Sequence, residues 1–264
     1  MWVADLHDIH MAEVSEDFAH CWQAAGLHIQ NQAQGHLQSW LRFHLRPPFL
    51  EHLSFRLGNQ LFYIQLEGVD DRLETPGSLD GLLAIADGCA GHACLMPMRR
   101  VGVDWEPTEP GWGLIDARTG RHVNPPALIS DEMVVMTDWE LQDLAVQVVR
   151  DHVSKDGKKL MSWNGDPRVD PSLWFVGDSG GPEWVIVRAV RYPKKEASLP
   201  ANMAELLSHF TKLGHPGHFA SVAVASGDDP FDPGAEENGN FAPLYRGCGM
   251  HIRYKGLSSL KAGS

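Results

Sequence analysis

The chain has 264 residues, is 43% hydrophobic and 21% charged, and carries a formal net charge of −12. Those values describe a globular protein long enough for one large domain or two ordinary ones, not a disordered chain. The charge argues against nucleic acid as the default partner, because a phosphate backbone is repelled at long range, and no apolar stretch approaches the roughly 20 residues of a membrane span.

Taken in chain order, residues 11–45 read as helix, with Met11, Val14, Phe18, Cys21, Trp22 and Ala25 recurring at three and four. Ser15 before Glu16 and Asp17 suits a helix N-terminus, Gly26 and Gly35 are points at which the run can break in two, and Pro47-Pro48 would end it. Leu53–Leu57 and Gln60–Glu67 read as strands joined by a Gly58-Asn59 turn. Ser78–Asp87 reads as a short helix, Gly91–Met98 as a buried strand, residues 104–113 as loop and Leu114–Val123 as a hairpin.

Thr137-Asp138 then opens a helix through about Val153. A polar loop over Lys155–Asp170, a strand over Pro171–Val176 and a turn at Gly177–Gly181 follow. Trp184–Val190 reads as a strand covered on both faces, Ala201–Leu213 as helix and His218–Ala225 as strand. Residues 227–240 read as acidic loop, and Leu244–Tyr254 as a terminal strand pair.

The two halves echo each other. Leu37-Gln38-Ser39-Trp40 recurs as Leu160-Met161-Ser162-Trp163, and Pro48 and Leu50 meet Pro171 and Leu173 at the same offset of 123. Leu61–Ile64 meets Trp184–Val187 there too. Leu82-Leu83 then meets Leu206-Leu207, Gly88-x-x-Gly91-His92 meets Gly214-x-x-Gly217-His218, and His122-Val123 meets His251-Ile252. Matches in one order, with an offset drifting one way, are expected of an internal repeat.

The charge is uneven as well. Residues 1–130 hold eight arginines, no lysine and sixteen acids, and every lysine lies at or after Lys155. The basic clusters Lys155, Lys158, Lys159 and Arg188, Arg191, Lys194, Lys195 read as solvated surface. Cys21, Cys89, Cys94 and Cys248 form no Cys-x-x-Cys pair, and the first eight residues lack a basic region followed by an apolar one. Both features point to reduced thiols in a cytoplasmic protein without a signal peptide.

The element order resembles the core of the restriction-endonuclease-like nucleases, the PD-(D/E)xK group, over about 60 residues per half, a likeness of layout only. The resemblance implies an Asp opening one hairpin strand and an acid-x-Lys on the next, together holding Mg²⁺ and the attacking water. Asp170-Pro171 stands where that first strand would open, but Val185–Val190 has no carboxylate two before a basic residue. In the first half Ile64-Gln65-Leu66-Glu67 is followed by no lysine. A divalent ion needs more negative charge than that, so the layout implies two inactive copies.

Fourteen histidines supply the reactive side chains. His92 and His218 each follow a Gly-x-x-Gly and would start a strand, where an imidazole can ligate a metal or cap the turn by hydrogen bonding. His122 and His251 recur in the terminal hairpins, which makes His92, His122, His218 and His251 the candidate metal ligands and a divalent transition metal the one cofactor class suggested. Trp105 and Trp112 flank a Pro/Gly loop and are the candidate binding residues, since exposed loop tryptophans favour a partner.

The expected fold is α+β, an internal duplication of a helix–hairpin–helix–strand–hairpin unit giving two pseudo-symmetric sheet domains with helices packed on them. The expected boundaries are a tail over 1–10, repeats over 11–123 and 137–257, a linker over 124–136 and a tail over 258–264. The expected function is a non-catalytic binding or interaction protein, engaging a protein partner or small ligand at the inter-repeat cleft or the Trp105–Trp112 loop. The alternative is a metal-dependent hydrolase, a divergent restriction-endonuclease-like nuclease or phosphoesterase. Nucleic acid is not favoured, a membrane is not expected, and a homodimer stays open.

Overall fold

The computed structural model describes residues 5–6, 14–34, 39–42, 52–69 and 73–260. The fold is α+β, with helices and two curled mixed sheets. The chain divides into two compact units, one of residues 12–134 and the other of residues 135–264 with the N-terminal segment. That segment contributes strand β1 (Asp5–Leu6), which pairs in parallel with Val169 and Asp170.

The first unit runs α1 (Glu16–Ala33), β2 (Ser39–Arg42), β3 (Leu53–Leu57), β4 (Gln60–Gly68), α2 (Leu79–Gly88), β5 (His92–Val101), β6 (Asp104–Pro107) and β7 (Ile115–Asp116). Ser15 caps α1 by accepting from Phe18 N–H at 3.1 Å, and Ser78 caps α2 by accepting from Gly81 N–H at 3.1 Å. Phe18, Cys21, Trp22, Ala25 and Ile29 bury one stripe of α1. The sheet order is β2-β3-β4-β5-β6, with β7 beside β5. β2, β3 and β4 are antiparallel neighbours. β4 and β5 are parallel, so the chain must cross over between them, and α2 is that crossover.

The second unit runs α3 (Asp138–Lys155), β8 (Lys159–Trp163), β9 (Val169–Asp170), β10 (Leu173–Val176), β11 (Pro182–Arg191), α4 (Met203–Lys212), β12 (Gly217–Ser226), α5 (Pro233–Asn238), β13 (Met250–Tyr254) and β14 (Ser258–Leu260). Its sheet order is β8-β10-β11-β12-β13, with β14 beside β12. Here too the first three strands are antiparallel and the next pair, β11 and β12, is parallel across a helix. α4 buries Met203, Leu206 and Phe210 against Trp174, Trp184 and Ile186. α3 covers β11 with Leu141, Ala145, Val146, Val149 and Val153 inward.

Several expectations are corrected. The helical run expected over 11–45, with a break allowed at Gly26 or Gly35, stops at Gln34, whose φ of 47° is left-handed, and Ser39–Arg42 is strand, not a second helix. Residues 104–113 contain β6, the loop over Lys155–Asp170 contains β8 and β9, and residues 227–240 contain α5. Asp5–Leu6 and Ser258–Leu260 are strands within segments expected to be tails. Leu37, Gln38, Pro47, Pro48 and Leu50, and the side chain of Trp40, lie outside the described residues.

The end of α2 stores strain that a single substitution releases. Ala90 follows the helix with φ 44°, donating to Asp87 O at 3.1 Å, while Gly91 N–H donates to Ala86 O at 2.8 Å. The same turn after α4 uses Gly214, at φ 76°. A Cβ in the left-handed region costs more than glycine's extra chain entropy. Ala90 is exposed, so no packing is lost on removing its methyl. Ala90→Gly is therefore expected to raise stability by about 0.5–1 kcal/mol. A lowered melting temperature would contradict this.

Candidate functional site

The parallel strand pairs bring the first two histidines to matching places. Phe62 registers with His92, and Val185 with His218. Gln60 and Glu183 lie two residues ahead of Phe62 and Val185, so the period of two puts them on the same face as the histidines. His92 Nε2–H donates to Gln60 Oε1 at 3.0 Å, and His218 Nε2–H donates to Glu183 Oε2 at 2.7 Å. The first contact is neutral. The second is charge-assisted and shorter, between side chains only 15% and 16% exposed.

Local sequence explains why Glu183 fits. A Cβ on Gly177 would fall 1.8 Å from Glu183 Oε1, so the carboxylate fills the space a side chain would take in the β10–β11 turn. A Cβ on Gly217 would fall 2.2 Å from Trp184, so the head of β12 also requires glycine. Phe62 stacks on His92 at 5.0 Å between centroids, and Phe175 lies 5.8 Å from His218. In both imidazoles Nε2 is committed as a donor, and His218 Nδ1 is buried with no hydrogen-bond partner.

The other two histidines lie elsewhere. His122 follows β7, bridges Ile115, and places Nδ1 3.3 Å from Glu109 with 63% of its side chain exposed. His251 is exposed on β13, opposite Ala225. In the first unit the strand holding β13's place in the sheet order is β6, not the segment with His122, so the His122–His251 match fails in register. Among the described residues no three His, Cys, Asp or Glu side chains gather to hold a metal ion. Cys21, Cys94 and Cys248 are free thiols. Burial, and then the charge of Asp116, pushes the Cys94 thiol up to about 12, and burial pushes Cys21 up to about 12, so neither supplies a thiolate near neutral pH.

The positions suggested by the nuclease layout meet in the second unit. Asp170 is fully buried, and Arg188 grips it with two hydrogen bonds, Nη1 to Oδ1 at 2.9 Å and Nη2 to Oδ2 at 2.5 Å. Where β10 leaves β11, side chains take over the ladder. Ser172 Oγ accepts from Val187 N–H at 3.2 Å. The Gln142 amide donates to Val187 O at 2.8 Å and accepts from Ala189 N–H at 3.1 Å. In the first unit Glu67 is exposed. Gln60, Glu183 and Gln142 are the functional-looking partners that reading the sequence did not single out, and Arg188, expected as solvated surface, is only 20% exposed and paired with Asp170. The one available signal was the second glycine of each Gly-x-x-Gly-His, which marks a strand head packed closely on its neighbour.

Residues 139–260 match a family described as Domain of unknown function (DUF8840). That stretch covers α3 to β14, just under half of the chain, and includes Gln142, Asp170, Glu183, Arg188 and His218. No curated protein and no solved structure matches the chain.

The tryptophans expected to be exposed are inside. Trp105 lies on β6 opposite Arg100 and is 5% exposed, and Trp112 is 8% exposed and stacks on Phe55 at 5.9 Å. The pairing of β6 with β5 sets Trp105, the stack on Phe55 holds Trp112, and the segment between them folds back onto its own unit. His28 Nε2 helps to anchor it, 2.9 Å from Gly111 O.

Proposed function

We propose that this chain is a duplicated α+β protein that binds a protein partner or small ligand without catalysis. The duplication is supported by agreement between sequence offset and strand register. Phe62 and Val185 stand 123 apart, His92 and His218 stand 126 apart, and each of the first pair faces the corresponding histidine across its parallel ladder. The two sheets also share strand order and pairing sense.

One observation carries the non-catalytic reading: the Asp170–Arg188 ion pair. In a PD-(D/E)xK site the carboxylate in this place faces a divalent ion. Here both its oxygens are taken by a guanidinium, and its side chain has no exposure. Nucleic acid is disfavoured for a related reason. Lys158, Arg188, Arg191 and Lys195, from both basic clusters, are each paired with a carboxylate within the second unit.

The second reading, a divergent metal-dependent nuclease or phosphoesterase, is favoured by the helix–strands–helix–strand order of each unit, in which three neighbouring antiparallel strands precede the crossover helix. Incubating the full chain with Mg²⁺ or Mn²⁺ and single-stranded DNA, duplex DNA, RNA or bis(p-nitrophenyl) phosphate separates the two. No turnover above the metal blank is expected. Metal-dependent turnover that disappears in Asp170→Asn would establish the hydrolase instead.

A further inference from the structure

The loop between β12 and β13 builds an aromatic corner on the end of β11. Tyr192, directly after β11, is 7% exposed, and its N–H donates to Val224 O at 2.9 Å. Phe231 and Phe241 stand nearly perpendicular to it, at 84° and 87°, each with its centroid 5.5 Å away. The Tyr192 hydroxyl donates to Asp232 O at 2.5 Å, which ties the floor of the corner to the loop. Phe231 is held at φ 55°, a conformation an aromatic residue adopts only when its surroundings force it.

Beside the rings lies a carboxylate without a counter-charge. Asp229 is 6% exposed, and the hydrogen bond it receives comes from Ala242 N–H at 3.4 Å, next to Phe241. Among the described residues no Lys, Arg or His is paired with it, although a buried acid is normally paired. Its charge reaches the corner. Burial raises the Tyr192 hydroxyl above its ordinary value, Glu236 adds to that, Lys195 opposes it, and Asp229 and Asp232 raise it further. The rings already take one cation, since Arg253 Cζ lies 4.2 Å from the Phe231 centroid.

We infer that Tyr192, Phe231, Phe241 and Asp229 form a binding site for a quaternary or methylated ammonium group. Such a group spreads its charge over methyl surfaces that pack on ring faces, sheds water more easily than a primary ammonium, and still gains from a nearby carboxylate. Arg253 competes for the Phe231 face. The inference rests on the binding reading above but uses no residue of the Asp170–Arg188 pair, so the two fail separately.

The test uses the full chain with choline, followed by calorimetry and by saturation transfer to the N-methyl protons. Saturable binding near about 1 mM is expected, with 3,3-dimethylbutanol, the uncharged analogue of choline, binding at least about tenfold more weakly. Asp229→Asn, which keeps shape and removes charge, should weaken choline at least about tenfold, as should Phe241→Ala, while Arg253→Gln should tighten it. Unchanged circular dichroism and melting would show that the Asn variant is folded. Absence of saturable binding, equal binding of the uncharged analogue, or binding that Asp229→Asn leaves intact overturns the proposal. So does binding confined to Arg253→Gln, because the corner then belongs to Arg253.

Discussion

Glu140→Ala is expected to cost the C-terminal unit about 3–5 kcal/mol, the range for removing one partner of a buried ion pair. Glu140 does two jobs at once. Its carboxylate accepts from Arg246 Nε at 2.7 Å and Nη2 at 3.0 Å, with the two side chains 7% and 3% exposed. The same carboxylate closes the α3 capping box, accepting from Thr137 N–H at 2.8 Å, while Thr137 Oγ1 accepts from Glu140 N–H at 3.2 Å. Truncation takes the Glu140 charge away from the buried Arg246 guanidinium and leaves an N-terminal N–H unsatisfied. Thr137→Ala removes only its share of the cap and should cost about 1 kcal/mol. Equilibrium urea unfolding followed by tryptophan fluorescence measures both. A Glu140→Ala loss no larger than that of Thr137→Ala would mean that the buried pair contributes nothing.

Gly217→Ala is expected to be the next most damaging change, at about 2–3 kcal/mol for overpacking a rigid contact. The new methyl would lie 2.2 Å from Trp184 Cζ2 and 2.5 Å from Cε2 and Cη2. Neither side can yield easily. The indole is 1% exposed, packs on Phe210 at 5.1 Å and donates from Nε1 to His215 O at 3.1 Å. The backbone at Gly217 is paired with Trp184 on one side and Leu260 on the other. Gly214→Ala, at φ 76° with nothing within 4 Å of its Cβ, carries only the left-handed strain and should cost about 1 kcal/mol. If Gly214→Ala proved the worse of the two, the close approach of β12 to Trp184 would be wrong. Restoring much of the loss by adding Trp184→Phe to Gly217→Ala would support it.

Local chemistry made a good part of the fold legible. Thr137 ahead of Glu140, Ser15 ahead of two acids, and the alternation around Gly58-Asn59 each correspond to a short-range hydrogen-bond pattern, so those helices and that hairpin could be read directly. Strands β2, β8 and β6 could not. They lie at the sheet edges or are too short for a period, and β6 sits among prolines and glycines that usually signal loop. The site was legible in its histidines and in Asp170, but not in their partners. His218 meets Glu183 across 35 residues and a helical crossover, and Arg188 meets Asp170 across 18 residues and a turn. Those meetings are set by strand register, which no local pattern encodes. The aromatic corner was hidden for the same reason, because Tyr192 and Phe241 belong to segments far apart in the chain.

The pairing of β1 with β9 makes the first unit an insertion. The chain passes from β1 in the second unit into residues 12–134 and then returns to the second unit. Strand β1 and its partners Val169 and Asp170 stand more than 160 residues apart, so this pair can form only after the whole of residues 12–134 has been synthesised. The same connectivity governs mechanical load. Tension applied between β1 and β14 pulls on two sheets of the second unit, the β1–β9 pair and the six-stranded sheet that holds β14, and reaches the inserted unit only after the β1–β9 pair has given way.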